Sequence, residues 1–272
     1  MDSYKKLDMA STDWLTTHFL AKSADRLRAL ASLHIEPGCR ILDLCCGPGL
    51  YIPYLLDLVG PSGHVTGIDY DPISLDAAHR RLRTLPHHNW DLKHVDVNEY
   101  VNEMPDFDVV LIFNSIGYFR DPFRVTARIA ERLPSGSSII IKDFDLESVF
   151  IHPRELQLWC ELLQAAKRRN DSDNPVSFDN FFGRKIHTLH QCYPFSFHRN
   201  EVWTQLMTYP FNHFQAEYIW RNVECLVKQS GNECSRATAG YFLDFFRFPK
   251  GEFFTKSDAI FVETEYLTCV RK

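Results

Sequence analysis

Residues 40–50, with the sequence R-I-L-D-L-C-C-G-P-G-L, restrict the fold more than any other stretch of the chain. Residues 40–46 form an apolar run, interrupted by Asp43, that is too short for a helix and is typical of a buried strand. Gly47, Pro48 and Gly49 then allow a sharp turn in which the backbone comes close to a ligand. A strand that passes through a glycine turn into a helix directs free N–H groups at one point, which suits a nucleotide-like or carboxylate-bearing ligand.

The same strand-then-helix pattern recurs along the first half of the chain. Strands are predicted over residues 40–46, 64–70, 90–97, 107–114 and 137–143, and apolar residues at helical spacing separate most of them. Asp71-Pro72 and Asp121-Pro122 indicate helix starts, because aspartate caps a helix and proline fits its first turn. This alternation predicts an α/β fold with a doubly wound, mostly parallel, Rossmann-like sheet.

Length and charge limit the classes of protein and partner. The 272 residues allow one large α/β domain or a domain with an insertion, and the formal net charge of −5 gives no overall attraction for nucleic acid. The sequence has no signal-peptide pattern and no apolar window approaching about 18 residues, so we expect no membrane span and a cytoplasmic location. The eight cysteines include no C-x-x-C pair, which predicts reduced thiols and no metal site.

Four polar side chains lie at or near the ends of successive predicted strands, where ligands of doubly wound sheets bind. Asp43 lies inside the first strand, and Asp69 ends the second strand 20 residues after Gly49, where a carboxylate accepts both hydroxyls of a ribose. Asp96 ends the third strand and is placed to meet an adenine amino group. Asn114 ends the fourth strand, with its amide at the reacting end of the same ligand.

Four segments carry a family resemblance: I-L-D-L-C-C-G-P-G at 41–49, G-I-D-Y-D-P at 67–72, H-V-D-V at 94–97 and F-D-V-V at 107–110. Over about residues 23–145 the sequence resembles the class I S-adenosylmethionine-dependent methyltransferases. The double cysteine is similar to the turn of the ubiquinone and menaquinone biosynthesis C-methyltransferases. The resemblance implies S-adenosylmethionine as cofactor and S-adenosylhomocysteine as product.

The resemblance also implies roles for individual residues. Asp43 and the turn glycines would flank the methionine part of the cofactor, Asp69 would hold the ribose, and Tyr70 would border the adenine. Cys45 departs from the family pattern, since most members have a glycine there. The implied cofactor-binding set is Asp43, Cys45, Gly47, Pro48, Gly49, Asp69, Tyr70, Asp96, Val97, Asn114 and Ser115.

Two other classes lose support on sequence grounds. A dinucleotide dehydrogenase requires G-x-G-x-x-G, but Ile52 stands in place of the third glycine. The fourth strand ends in N-S-I-G-Y-F, which differs from the N-P-P-Y of the amino methyltransferases that act on nucleic acid or protein.

The second half of the chain is less regular. A helix is predicted over 153–168, with Leu156, Trp159, Leu163 and Ala166 buried, and a closing strand over 258–270. The region between them is aromatic-rich, since 21 of the 37 Phe, Tyr and Trp residues lie between Phe178 and Tyr266. We expect four regions: 1–22, an N-terminal lid or helix; 23–150, the cofactor-binding core; 151–257, an acceptor-binding insertion or cap; and 258–272, a closing strand. The rings favour a small apolar or aromatic acceptor, or else form a subdomain core or a homodimer interface.

Methyl transfer does not require a general base. Positioning of two reactants contributes on the order of 7 to 11 kcal/mol, whereas a base contributes about 3 to 5 kcal/mol. Tyr118, His18 and His152 are candidates because they lie near segments expected to line the site. Two alternatives stay open: a cyclase or isomerase that binds the cofactor without transferring its methyl group, and a non-enzymatic module that binds no cofactor.

Overall fold

The computed structural model describes residues 10–170 and 178–272. The chain divides into two compact units. The sheet unit contains Ala24–Asp143, Phe182–Trp203 and Glu265–Lys272. The helical unit contains Met1–Ser23, Phe144–Phe181 and Thr204–Thr264, apart from the residues outside the described ranges.

The sheet unit is built on parallel strands. They are β1 (Arg40–Leu44), β2 (His64–Asp69), β3 (Trp90–His94), β4 (Val109–Phe113) and β5 (Ser138–Phe144). Their order is β3-β2-β1-β4-β5, followed by β8 (Ile260–Arg271), and the four pairings among β1–β5 are parallel. The direction of winding changes between β1 and β4, so this is the doubly wound arrangement that the sequence predicts.

Helices cover both faces of these strands. They are α2 (Ser23–Ala31), α3 (Ile52–Val59), α4 (Pro72–Leu82), α5 (Val97–Glu103) and α6 (Pro122–Arg132). Ile41 packs in one hydrophobic cluster with α3, whereas its neighbour Leu42 packs in the other with α5 and α6. Successive residues of a strand point to opposite faces, so apolar residues at both positions bury the sheet on both sides.

Local sequence explains where two of these helices begin. Asp71 accepts hydrogen bonds from the backbone N–H groups of Ile73 and Ser74, and Asp121 accepts one from Arg124. In both helices a proline occupies the first turn, where its missing N–H costs nothing. The predicted Asp-Pro helix starts are confirmed.

The helical unit contains α1 (Thr12–Ala21), α7 (Leu156–Asn170), α8 (His213–Ser230), α9 (Arg236–Phe245) and the short strand β6 (Phe150–His152). Strand β6 pairs antiparallel with Ile260–Val262 of β8. Phe242, Phe246 and Phe253 are fully buried and in ring contact, so part of the aromatic residues forms the core of this unit. A further strand, β7 (Phe197–Thr208), pairs with β8 and has residues in both units.

Three expectations about elements are wrong. The third strand ends at His94 and not at residue 97, because Asp96 turns the chain and caps the unpredicted helix α5. Helix α7 begins at Leu156 instead of residue 153. Leu156 is 56% exposed and Leu163 is only half-buried, because the buried side of α7 is formed by Trp159, Leu162, Ala165 and Ala166.

The two compact units also have boundaries that differ from those of the four predicted regions. Residues 182–203 belong to the sheet unit, although they fall inside the predicted insertion 151–257. The reason is apolar packing, since Phe182, Ile186 and Leu189 are buried in the same cluster as α5 and α6. The predicted N-terminal region 1–22 extends outside the described residues, and its described part forms α1. Across the described residues, no helix is long and apolar enough to span a membrane.

Candidate functional site

The glycine turn after β1 has an unusual backbone conformation. Cys45, Gly47 and Gly49 have positive φ angles of 61°, 54° and 66°. The turn is fastened to β2 by Cys46, whose N–H donates to the carbonyl oxygen of Ile68 at 2.9 Å, and it closes on itself through a 3.0 Å hydrogen bond from Gly49 N to Cys46 O. Left-handed conformations favour glycine, so Cys45 is held there by the surrounding structure.

Asp69, at the end of β2, is bound to this turn. Its Oδ2 accepts from the Gly47 N–H at 2.7 Å and its Oδ1 accepts from the Asp71 N–H at 2.9 Å. Burial raises the pKa of Asp69 above its ordinary value, although these two hydrogen bonds oppose that effect. A third backbone hydrogen bond, from Tyr70, reaches the same carboxylate. A carboxylate has about four lone-pair sites, so at least one stays open to a ribose hydroxyl.

Asp43 is a buried acid with an unsatisfied oxygen. Its side chain is 3% exposed, and across the described parts of the chain its Oδ2 has no hydrogen-bond partner. Burial and the neighbouring charge of Asp69 raise the pKa of Asp43 to about 7. A buried carboxyl group without a partner is costly, and a cationic ligand group would relieve that cost.

Tyr70 and Asp96 follow β2 and β3. Tyr70 is 49% exposed, and its ring lies 6.0 Å from that of His94. Asp96 is the N-cap of α5, where Oδ1 accepts from the Asn98 N–H at 2.7 Å, and Val97 is buried in the first turn. Their contacts with an adenine stay predictions.

Asn114 follows β4 and lies beside a buried ion cluster that the sequence analysis missed. Lys142 Nζ donates to Asn114 Oδ1 at 2.7 Å and lies 3.0 Å from Glu265 Oε2. Arg26 Nη2 contacts Glu265 Oε1 at 3.3 Å, and all three charged side chains are buried. Next to Asn114, Ser115 is buried beside the Cys45 thiol. One signal was available, a lysine inside the otherwise apolar strand S-S-I-I-I-K-D.

The candidate general bases lie in different surroundings. Tyr118 belongs to the sheet unit, in the single 3-10 turn after Asn114. His18 belongs to the helical unit, where its ring packs against those of Trp14 and Tyr218 at centroid distances of 5.6 and 5.3 Å, and these two rings also contact each other. His152 belongs to the helical unit as well and lies 3.3 Å from Asp258. A catalytic role for any of them stays a prediction.

The thiols of the glycine turn and the segment H-x-x-H-x-C at residues 187–192 are the remaining groups with possible ligand or nucleophile chemistry. Burial raises the pKa of the Cys45 and Cys46 thiols well above the ordinary value, so both are protonated packing residues at neutral pH. Throughout the described residues, no group of three potential ligands is placed to hold a metal ion. His190 stacks on His198 at 4.3 Å in a surface groove of about 490 Å³, which includes none of the strand-end residues.

The residues at the glycine turn fit the cofactor that the sequence implies. Asp43 offers an unsatisfied buried acceptor for the cofactor's cationic end, and the turn brings backbone within reach of Asp69. Gly49 shows the crowding typical of a close approach, since an added Cβ would lie 3.0 Å from the Cβ of Ala78.

Comparison with known proteins gives a consistent result. A family model described as "Methyltransferase domain" matches residues 35–208. A probable cobalt-precorrin-6B C(15)-methyltransferase from Thermoplasma acidophilum is 25% identical over 138 residues, or 50% of this chain and 66% of the relative. A demethylmenaquinone methyltransferase from Listeria welshimeri is 25% identical over 118 residues, or 43% of this chain and 50% of the relative. The chain thus spans one half to about two thirds of the length of these relatives.

A solved structure extends the similarity of the fold. The crystal structure of a putative methyltransferase from Bacillus halodurans covers 90% of this chain and 98% of its own, with a TM-score of 0.56 and 14% identity.

Proposed function

This chain belongs to the methyltransferase-domain family, among the class I S-adenosylmethionine-dependent methyltransferases, and from that premise we propose that it transfers a methyl group to a small apolar or aromatic molecule. S-adenosylmethionine is the cofactor, and its sulfonium supplies an activated methyl group. The task left to the protein is to hold donor and acceptor in line, which contributes on the order of 7 to 11 kcal/mol to lowering the barrier.

The observation that carries the proposal is the arrangement of Asp43 and Asp69 around the glycine turn. In our assignment, the unsatisfied Oδ2 of Asp43 attracts the cationic end of the cofactor. Asp69 accepts from the ribose diol with the lone-pair capacity that the backbone N–H groups of Gly47, Asp71 and Tyr70 leave unused. Tyr70, Asp96 and Val97 border the adenine in the same assignment. The turn holds the Asp69 carboxylate, because the Gly47 N–H donates to it directly.

Two observations support an apolar or aromatic acceptor. The chain has 21 of its 37 aromatic residues between Phe178 and Tyr266, and one of its relatives is named a demethylmenaquinone methyltransferase. Some of these aromatic rings, such as Phe242, Phe246 and Phe253, form the core of the helical unit. We therefore propose that the acceptor pocket is lined by other aromatic residues of the same region. The eight cysteines are all free, which supports a cytoplasmic location, and a homodimer stays a prediction.

Calorimetry with S-adenosylhomocysteine tests the cofactor site. We expect the wild-type protein to bind it and Asp69→Ala to weaken binding by about 1 to 3 kcal/mol, since a carboxylate–diol contact is lost. Asp106→Ala, which removes an exposed carboxylate of the same unit, is the matched control and should bind as the wild type does. Unchanged affinity in Asp69→Ala would reject the ribose assignment.

Transfer of a labelled methyl group tests the acceptor class. The protein is incubated with methyl-labelled S-adenosylmethionine and a cell lysate, and the lysate is separated into small-molecule, protein and RNA fractions. We expect label in the small-molecule fraction together with stoichiometric S-adenosylhomocysteine. Label confined to protein or RNA would reject a small acceptor, and substrate conversion without S-adenosylhomocysteine would favour the cyclase or isomerase alternative.

A further inference from the structure

The orientation of the Asn114 amide follows from simple chemistry. Lys142 Nζ lies 2.7 Å from Asn114 Oδ1, and an ammonium group donates hydrogen bonds but accepts none. The carbonyl side of the amide therefore faces Lys142, and the NH₂ side faces away from it. That nitrogen, Nδ2, is buried and has no hydrogen-bond partner among residues 10–170 and 178–272. Asn114 thus presents its donor nitrogen, and not its carbonyl oxygen, to a group that approaches from the side away from Lys142.

Lys142 is itself held in place. Its side chain is buried, and Nζ lies 3.0 Å from Glu265 Oε2, while the other oxygen of Glu265 contacts Arg26. Of these charged groups, Lys142 is the one that contacts the amide directly. In a poorly solvated environment the positive charge of Lys142 polarises the amide and strengthens its N–H groups as donors.

We propose that Lys142 is a positioning residue that fixes Asn114 as a hydrogen-bond donor at the transfer site, and that this selects acceptor molecules with an aromatic hydroxyl group over those with an amine. The inference rests on the proposed methyl transfer. An amine nitrogen has one lone pair, which it must use to attack the methyl carbon. A hydroxyl oxygen has two lone pairs, so it accepts from Asn114 with one and attacks with the other.

The electron balance of this step is simple. One oxygen lone pair forms the new O–C bond, the S–C bond breaks with its electron pair left on sulfur, and the hydroxyl proton passes to solvent. Donation from Asn114 stabilises the negative charge that oxygen carries when the proton leaves, as donors in an oxyanion hole do.

Two probes that differ in one group test the preference. 1-Naphthol and 1-aminonaphthalene are titrated separately into wild-type protein saturated with S-adenosylhomocysteine. We expect 1-naphthol to bind about tenfold more tightly, because its hydroxyl oxygen accepts from Asn114, whereas the lone pair of an aromatic amine is delocalised into the ring and accepts poorly. One hydrogen bond to a polarised donor has an effect of about this size. This measurement needs no variant, so it does not depend on whether a substitution folds.

Variants of Lys142 then test the positioning. Lys142→Met leaves the amide of Asn114 free to rotate, and the naphthol-to-amine preference should fall toward one. Lys142→Gln still donates to Asn114 Oδ1 and should retain most of the preference. Affinity for S-adenosylhomocysteine should stay within about threefold of wild type in both variants. Lys228→Met, which removes an exposed lysine of α8, is the control and should keep the full preference.

Three results would overturn the inference. The first is wild-type protein that binds S-adenosylhomocysteine but binds 1-aminonaphthalene at least as tightly as 1-naphthol, or binds no 1-naphthol. The second is a preference that Lys142→Met leaves unchanged. The third is a loss of more than about tenfold in S-adenosylhomocysteine affinity in Lys142→Met. That result would indicate that Lys142 positions Asn114 for contact with the cofactor and not with the acceptor. Wild-type protein that binds no S-adenosylhomocysteine would instead contradict the proposed function.

Discussion

The carboxyl group of Asp43 couples folding to pH. Burial and the charge of Asp69 raise its pKa to about 7, whereas an unfolded aspartate has a pKa of about 3.9. Between these values the folded protein binds a proton that the unfolded chain does not. The resulting stability is fully present below about pH 4 and is lost as the pH rises through about 7.

We expect Asp43→Asn, which cannot ionise, to be more stable than wild type at pH 8 by up to about 4 kcal/mol. The difference should shrink as the pH falls and vanish near pH 4. Urea denaturation from pH 4 to pH 8 measures it, with the exposed Asp106→Asn as control. A difference that does not change with pH would contradict the assigned pKa.

Cys45 has a backbone conformation that suits glycine, with φ at 61°. Cys45→Gly removes about 1 to 2 kcal/mol of strain from the left-handed backbone of the folded state. Glycine also gives the unfolded chain more conformational entropy, which lowers stability by somewhat less than that, so the variant should stay within about 1 kcal/mol of wild type. Cys45→Val, with a β-branched side chain, should lose more than about 2 kcal/mol. Thermal denaturation compares the two variants. Equal losses would show that packing, and not φ, controls this position.

At the scale of elements, replacing glycine by alanine should have opposite effects on stability at two positions. A Cβ on Gly67 of β2 would lie 2.7 Å from Leu92 Cδ2 and 2.9 Å from Ile52 Cδ1, whereas a Cβ on Gly240 of α9 would meet nothing within 4 Å. Gly67→Ala should therefore destabilise the protein by about 1 to 3 kcal/mol. Gly240→Ala should stabilise it by about 0.5 to 1 kcal/mol, because alanine favours a helix. Denaturant midpoints distinguish the two signs.

The elements that the sequence predicted correctly are those with a local signal. The apolar runs of β1, β2 and β4, and the Asp-Pro starts of α4 and α6, depend on neighbouring residues alone. Helix α5 was missed although its buried residues Val97, Tyr100 and Val101 have helical spacing. The reason is that the alternating pattern of the preceding strand continues up to Asp96 and Val97 and predicts a longer strand. Leu156 was misplaced because helical spacing does not say which side of α7 is covered.

At the scale of the molecule, the missing information is long-range. Arg26 and Glu265 are 239 residues apart, and Lys142 lies between them in sequence, so no local pattern indicates that they meet. The carboxylates Asp43 and Asp69 were predictable as a pair, because parallel strands of known order bring their ends together. The location of the aromatic residues was not predictable, because a buried core and a pocket lining have the same aromatic composition.

A second long-range pair allows a test of how the helical unit is held together. Lys22, just after α1, forms a buried ion pair with Glu263 of β8, 241 residues away, and the Tyr218 hydroxyl of α8 donates to the same carboxylate. Removing one partner leaves a buried charge without its counter-charge, so Glu263→Gln and Lys22→Met should each lose about 3 to 5 kcal/mol.

The double variant separates the pair from its surroundings. Lys22→Met with Glu263→Gln buries no charge in this pair, and glutamine still accepts from Tyr218, so the double variant should be more stable than the sum of the single losses predicts, by about 0.5 to 3 kcal/mol. Chemical denaturation of the four proteins measures this coupling. Lys256→Met with Glu252→Gln, an exposed pair in the helical unit, is the matched control and should show little coupling. Additive losses at Lys22 and Glu263 would mean that the two charges are stabilised independently, and that packing alone joins α1 to β8.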